Sequence, residues 1–230
     1  MIEQIKGGFN RAFFTVRYKT LKCDRLSMSH NKSSERVSPE NTAVLLIDHQ
    51  IGTIKFAIST PRDEIIRNTR ALARTAVETG MPLVLSTSLE DKFQGPLLQD
   101  LREIAPTAYE ERIKRPGVID AWLYEPFRKA VEKTGRKKII MAGLTNDVCV
   151  VYPAISAFSD GYEIQVVVDA GGSPTKMADD VALRRIESAG ITLTSTNQVL
   201  AELARDWETP KGHIIIKIMY EEILGRLMKQ

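Results

Sequence analysis

Residues 137–160 read KKIIMAGLTNDVCVVYPAISAFSD. Ile139, Ile140, Met141 and Ala142 make a short apolar run behind basic residues, the pattern of a buried strand, and Gly143 ends it. Leu144-Thr145-Asn146-Asp147 is a polar turn. From Val148 the apolar spacing becomes helical, through Val151, Ile155 and Phe158 to a stop at Gly161. Cys149 therefore falls where a strand hands over to a helix, in the helix's first turn. Unpaired N–H groups and the macrodipole favour an anion there, so this reading expects a thiol held partly as thiolate, the reactive form. Cys149 is a candidate nucleophile on that ground. The competing reading is a buried cysteine acting as a small hydrophobe.

Working outward, the same alternation recurs. Ala43–Ile47 is a continuous apolar strand ended by Asp48-His49-Gln50. Thr60-Pro61-Arg62-Asp63 resembles a capping box ahead of a helix with Ile65, Thr69, Leu72 and Ala76 on one face, stopped by Gly80 and Pro82. Leu83-Val84-Leu85 is the next strand, running into Ser86-Thr87-Ser88. A loop and short helix cover 95–104, and a weaker strand over 109–113 ends at Lys114-Arg115-Pro116-Gly117. Helix 126–134 leads back to the opening strand. Strand 163–168, a Gly171-Gly172-Ser173-Pro174 turn, helix 175–189, strand 191–193 and helix 198–204 complete the series. About six strand–helix alternations imply a three-layer α/β/α domain with a doubly wound, six-stranded, mainly parallel sheet. Such sheets bind ligands beyond the carboxyl ends of their strands, at the switch point. Asp48, Lys114 or Arg115, and Cys149 all sit at such ends.

Composition narrows the function classes. The chain of 230 residues suits one large domain, here 39–207, with a basic extension over 1–38 and a tail over 208–230. Ile216, Met219, Tyr220, Ile223, Leu224 and Leu227 recur at helical spacing, so 214–228 reads as an amphipathic helix packing on its own core or on a neighbouring subunit. No apolar run is long enough to span a bilayer, and two cysteines, Cys23 and Cys149, make no disulfide framework, which suits a reducing, cytoplasmic setting. Residues 1–37 hold eight basic side chains against three acidic, leaving the remainder at −2, so the positive balance gives no reason to expect nucleic acid on the folded body. The basic start also allows a mitochondrial presequence, a reading its three acidic residues weaken.

An acid, a cation and a thiol at neighbouring strand ends amount to a mechanism. Asp48 accepts the Cys149 proton and later delivers it to the leaving group. The cation at 114 or 115 holds both in register, and the thiolate attacks a carbonyl or imine carbon to give a thioester-like intermediate. The N–H groups of Val148 and Cys149 are the candidate oxyanion hole. Gln50, Phe56, Trp122 and Tyr152 are candidate pocket residues for a small-molecule substrate.

AVLLIDHQ, the Ser86-Thr87-Ser88 run, RPGVIDAW and GLTNDVCVVYPAISAFSDGYEIQVVVDA together resemble the isochorismatase-like cysteine hydrolase superfamily, most of all its YcaC-related branch. The likeness spans about residues 40–207 in order. It implies the three-layer fold and an aspartate–cation–cysteine triad at Asp48, a basic residue at 114–115, and Cys149. It also implies a cis peptide near the cysteine, placed at Thr145–Asn146. Arginine before Pro-Gly resembles the YcaC-related branch, making Arg115 the first choice as cation and Lys114 the reserve, while Asn146 stands where family members commonly carry threonine. The nicotinamidase branch binds metal through an Asp/His cluster; this chain shows none, so no metal and no cofactor is expected, and His49 reads as a packed histidine. Presence of the cysteine implies hydrolysis of a C–N bond in an amide, imide or carbamoyl compound, and the branch implies a homo-oligomer, octamers being known in it. The alternative is a non-catalytic oligomeric binding or scaffold protein of the same fold.

Overall fold

A computed structural model describes residues 36–226. Most of the basic extension, with the presequence reading, Cys23 and His30, and the end of the expected tail helix at Leu227 and Met228 lie outside the described residues. Six strands, β1 (Thr42–Ile47), β2 (Leu83–Ser88), β3 (Ile113–Arg115), β4 (Lys138–Gly143), β5 (Glu163–Val167) and β6 (Thr192–Thr194), form one sheet in the order β3-β2-β1-β4-β5-β6. Every pairing is parallel. The chain starts at the middle, winds outward to β3, then returns to lay β4 on the other side of β1, so the switch point lies between β1 and β4.

Side-chain alternation sorts the core into two layers. In β1, Val44 and Leu46 face one way with Ile140 and Ala142 of β4, packing on α1 (Arg62–Thr79), α7 (Thr196–Ala204) and α8 (Pro210–Met219). Ala43, Leu45 and Ile47 face the other way with Ile139 and Met141, against α4 (Glu125–Lys133), α5 (Val151–Ser159) and α6 (Lys176–Ser188). Strands buried on both faces must be apolar at every position, which is why β1 and β4 read as unbroken runs. Among the described residues no helix is long and apolar enough to cross a membrane.

Three local expectations are corrected. The strand expected over 109–113 lies at Ile113–Arg115, because α2 (Gln99–Ile104) is followed by α3 (Pro106–Glu110), which Pro106 opens at its first position and which carries Tyr109 into the core. The capping box does not form: Pro61 precedes the first turn of α1 and no side chain accepts there. The tail helix starts at Pro210 rather than 214, because Thr209 accepts the Gly212 N–H at 2.9 Å. This helix packs on its own domain: Ile215, Ile218 and Met219 are buried in the first core layer.

Past α8 the chain continues through a π-helical turn at Tyr220–Leu224, whose Glu222 is buried between two arginines of α1. Arg70 donates to both Glu222 oxygens at 2.8 and 3.1 Å and to Asp100 at 2.8 Å; Arg74 donates to Glu222 at 2.9 Å. Removing the shared carboxylate leaves two partly covered guanidinium groups without their common acceptor. Glu222→Ala is expected to cost roughly 1–2 kcal/mol, less than a fully buried pair because the arginines remain partly hydrated. Denaturant unfolding checks it, with Asp63→Ala, on the exposed face of α1, close to wild type.

Candidate functional site

Two strand ends meet at the switch point. β1 ends at Ile47 and β4 at Gly143, in direct register. A side chain at Gly143 would put a Cβ 2.7 Å from the Ile47 carbonyl, so glycine is what lets these ends approach. Asp48 follows β1 with φ +58, a left-handed conformation that costs a non-glycine residue on the order of 1 kcal/mol. Its N–H donates to the Ser86 carbonyl at 3.0 Å while its carbonyl accepts from Gln50 N–H at 2.7 Å, so the chain turns sharply with Asp48 at the corner.

The Asp48 carboxylate is fully buried and pairs with Arg115, whose side chain is equally enclosed. Arg115 Nη2 donates to Asp48 Oδ2 and Nη1 to the Val118 carbonyl, while Ser86 Oγ lies 3.4 Å from Asp48 Oδ1. β3 is two strands from β1, roughly 10 Å at ordinary strand spacing, so a long side chain is needed to cross over the small residues ending β2. Lys114 does not reach this place. Adjacent strand residues face opposite ways, and Lys114 is an exposed side chain 3.4 Å from Glu90. The Glu90 carboxyl is lowered to about 2, first by the hydrogen bonds from Arg112, an ion-pair cluster separate from Asp48.

Cys149 lies in a single π-helical turn, Asn146–Val150, leading into α5. Its thiol is close enough to Asp48 for the carboxyl's charge to act on it, and the residue is only partly covered. The structure thus gathers Asp48, Arg115 and Cys149. Two parts of the expected chemistry are corrected. Burial, then the Asp48 charge beside it, push the thiol's pKa well above the ordinary thiol range, against a smaller opposing pull from Arg115, which runs against the expected thiolate. Burial likewise raises Asp48, opposed by Arg115. The Val148 and Cys149 N–H groups are also not open donors, because both point at the Thr145 carbonyl, at 3.3 and 2.8 Å, and Val150 N–H joins them at 3.2 Å. The cis peptide lies at Leu144–Thr145, one residue earlier than expected.

The four candidate pocket residues do not share one pocket. Gln50 is buried and its amide is used within the fold, accepting from Ser88 N–H at 2.9 Å and donating to the Ser88 and Gly95 carbonyls. Trp122 is core: its indole N–H donates to Asp160 at 2.7 Å and its ring stacks edge-on against Tyr162. Tyr152 lies under Arg185 in a surface groove between α5 and α6. Phe56 is half exposed and packs on Phe93, 5.2 Å between centroids, on the loops that follow β1 and β2. Among the described residues no group of three His, Cys, Asp or Glu side chains is arranged to hold a metal ion.

Sequence reasoning missed what supports the turn. Asn146 Nδ2 donates to Asp179 Oδ1 at 3.0 Å, an acceptor shared with Ser173 Oγ at 2.7 Å. Asp179 reads in sequence as an ordinary acidic residue in the first turn of a helix, so only its burial betrays it.

Fold and site together define a three-layer α/β protein with its polar constellation at the switch point of a doubly wound sheet. The chain belongs to the isochorismatase family: the Isochorismatase domain model matches residues 42–198. It is 39% identical over 173 residues to the probable hydrolase YcaC of Escherichia coli K12, covering 75% of this chain and 82% of that one. A structure of YcaC from Pseudomonas aeruginosa with hexane-2,5-diol and covalent acrylamide superposes with TM-score 0.79 at 37% identity, over 85% of this chain and 96% of that one. The E. coli YcaC structure, described as an octameric hydrolase of unknown specificity, gives TM-score 0.79 at 36% identity, over 84% and 95%. The nicotinamidase PncA of Bacillus subtilis shares the fold, with TM-score 0.56 at 18% identity over 67% of this chain and 99% of that one. The chain is an isochorismatase-family hydrolase of the YcaC branch.

His49, next to Asp48, is buried with Nε2 2.8 Å from the Ala170 carbonyl, and burial lowers its pKa from 6.5 to about 4. A histidine kept neutral by the fold contributes stability that is fully present above pH 6.5 and is lost as pH falls toward 4. The loss over that window is on the order of 3 kcal/mol. Denaturant unfolding should show stability falling from pH 6.5 to 5, above the range where paired carboxylates titrate, and His49→Gln should flatten that slope.

Proposed function

We propose that the chain hydrolyses a C–N bond of a small amide, imide or carbamoyl compound through a covalent Cys149 intermediate. The observation that carries this reading is the Asp48 carboxylate, paired with Arg115 on one side and next to the thiol of Cys149, a partly exposed residue, on the other. At rest the proton is on sulfur, and Asp48 is the ionised partner of Arg115. As the substrate carbon approaches, sulfur forms its bond while the proton passes to Asp48, so no free thiolate need accumulate. The pKa of Asp48, raised by burial, makes it a better base for that transfer. Collapse of the tetrahedral adduct breaks the C–N bond, Asp48 returns the proton to the departing nitrogen, and water then hydrolyses the thioester-like intermediate with Asp48 again as base. Arg115 stays charged throughout and acts electrostatically.

The description of the P. aeruginosa relative with covalent acrylamide supplies a probe, since acrylamide adds to thiols. Carried out on Cys23→Ser protein, alkylation against pH should give an apparent thiol pKa above the ordinary ~8.5. Asp48→Asn removes the neighbouring negative charge and should bring that value down toward ~8.5. In a screen of amides, imides and carbamoyl compounds, Cys149→Ala and Asp48→Asn should each lose at least ~10³-fold in turnover with folding intact. Binding without turnover in wild type would leave the scaffold reading in its place. The free thiol of Cys149 suits a reducing compartment, cytoplasmic or mitochondrial.

We further assign the apolar rim around the site to contact between subunits. Phe56, Ile58, Phe93 and Ile119 project from the loops beyond β1, β2 and β3 with half or more of their surface exposed or nearly so. The octamer of the E. coli relative supports a homo-oligomer here. Phe56→Glu combined with Phe93→Glu should shift sedimentation to a smaller species, whereas Lys129→Glu on the outer face of α4 should not.

A further inference from the structure

We propose that Asp179 is a positioning residue which, acting through Asn146, holds the thiol-bearing turn in register with Asp48. The inference rests on the reading of Cys149 as nucleophile. The segment following β5, residues 168–173, lies between the two halves of the site. On one side it holds Asn146, the first residue of the turn that carries Cys149: Asn146 N–H donates to the Gly172 carbonyl at 2.9 Å, and Nδ2 reaches the Val168 carbonyl at 3.3 Å. Asn146 Oδ1 is pressed so close to Gly171 that a Cβ there would lie 2.3 Å away. On the other side the segment holds the chain beyond β1. The Ala170 carbonyl binds His49, adjacent to Asp48, and the Ser173 carbonyl accepts from Ile58 and Ser59 N–H at 2.9 and 3.0 Å.

Asp179 fastens this arrangement. It is buried in the first turn of α6, and one carboxylate oxygen accepts from Asn146 Nδ2 and from Ser173 Oγ. A buried carboxylate is kept only where donors compensate its lost hydration, and here one donor comes from the thiol-bearing turn and the other from the segment that holds it. The N-terminus of α6 favours the same charge. Without Asp179, Asn146 Nδ2 retains only the longer bond to Val168. The turn then keeps its backbone bond to Gly172 but loses its side-chain anchor, and Cys149 shifts away from the carboxylate that raises its pKa.

The experiment is the pH profile of acrylamide alkylation in full-length Cys23→Ser protein, which needs no substrate. Wild type tests the underlying reading: an ordinary thiol profile there would overturn the Asp48–Cys149 pairing itself. Given a raised wild-type value, Asp179→Ala should lower the apparent thiol pKa by roughly one unit, a tenfold change in the ionisation equilibrium. Asp179→Asn should stay near wild type, because its amide oxygen still accepts from both donors. Asn146→Ala should reproduce the Asp179→Ala shift, and the double variant should go no further. If Asp179→Ala does not fold, Asn146→Ala and Asp179→Asn carry the test. A raised wild-type value that Asn146→Ala leaves unmoved, or that Asp179→Asn lowers as far as Asp179→Ala, overturns the proposal.

Discussion

The ion pair between Asp48 and Arg115 is the constraint around which the carboxyl edge of the sheet is arranged. Both side chains are removed from water, and each alone would cost several kcal/mol of lost hydration. The pair is tolerable because the guanidinium also serves the neighbouring loop. The guanidinium uses one arm for the carboxylate and the other for the Val118 carbonyl, so it closes the Pro116–Ile119 loop while neutralising Asp48. A lysine ammonium at this place could meet the carboxylate but would not present the same planar fork to the loop. Arginine also keeps its proton, which confines proton traffic to Asp48 and Cys149.

That pair decides the state of the thiol. A helix N-terminus favours a thiolate, but it is worth about 0.3–1 kcal/mol, at most ~2. Against it stand the cost of burying an anion, several kcal/mol, and the charge of Asp48 nearby. The larger effects win. The geometry of the turn removes part of the smaller one as well, because its first N–H groups converge on the Thr145 carbonyl instead of pointing outward. A thiol that releases its proton only as a bond to carbon forms is better protected from incidental oxidation than a standing thiolate.

What was legible in the sequence follows from burial. β1 and β4 are covered on both faces, so their apolar runs are unbroken and their ends, with Asp48 and Cys149, could be read directly. β3 has only three residues and lies at the sheet edge behind two short helices, so its boundary was obscured, and with it the parity that separates Arg115 from Lys114. The aromatic candidates failed for a different reason. Whether Trp122 lines a pocket or a core depends on Asp160 and Tyr162, distant in sequence and brought close by tertiary packing. The Asn146–Asp179 bond spans 33 positions and follows no periodicity, so spacing could not reveal it.

Strand order explains why the chemistry is robust and the specificity is not written in the same place. With β1 next to β4, the chain leaving the first at Asp48 and the chain leaving the second at Leu144 are neighbours roughly 5 Å apart by strand spacing, and the turn Asn146–Val150 then carries Cys149. The cation needs only one long side chain across β2. Nothing in that arrangement recognises a particular substrate. On the proposed reading, recognition falls to the loops beyond β1, β2 and β3, where Phe56, Phe93 and Ile119 are exposed. On that reading, the residues that set the reaction and those that would choose the substrate answer to separate structural constraints.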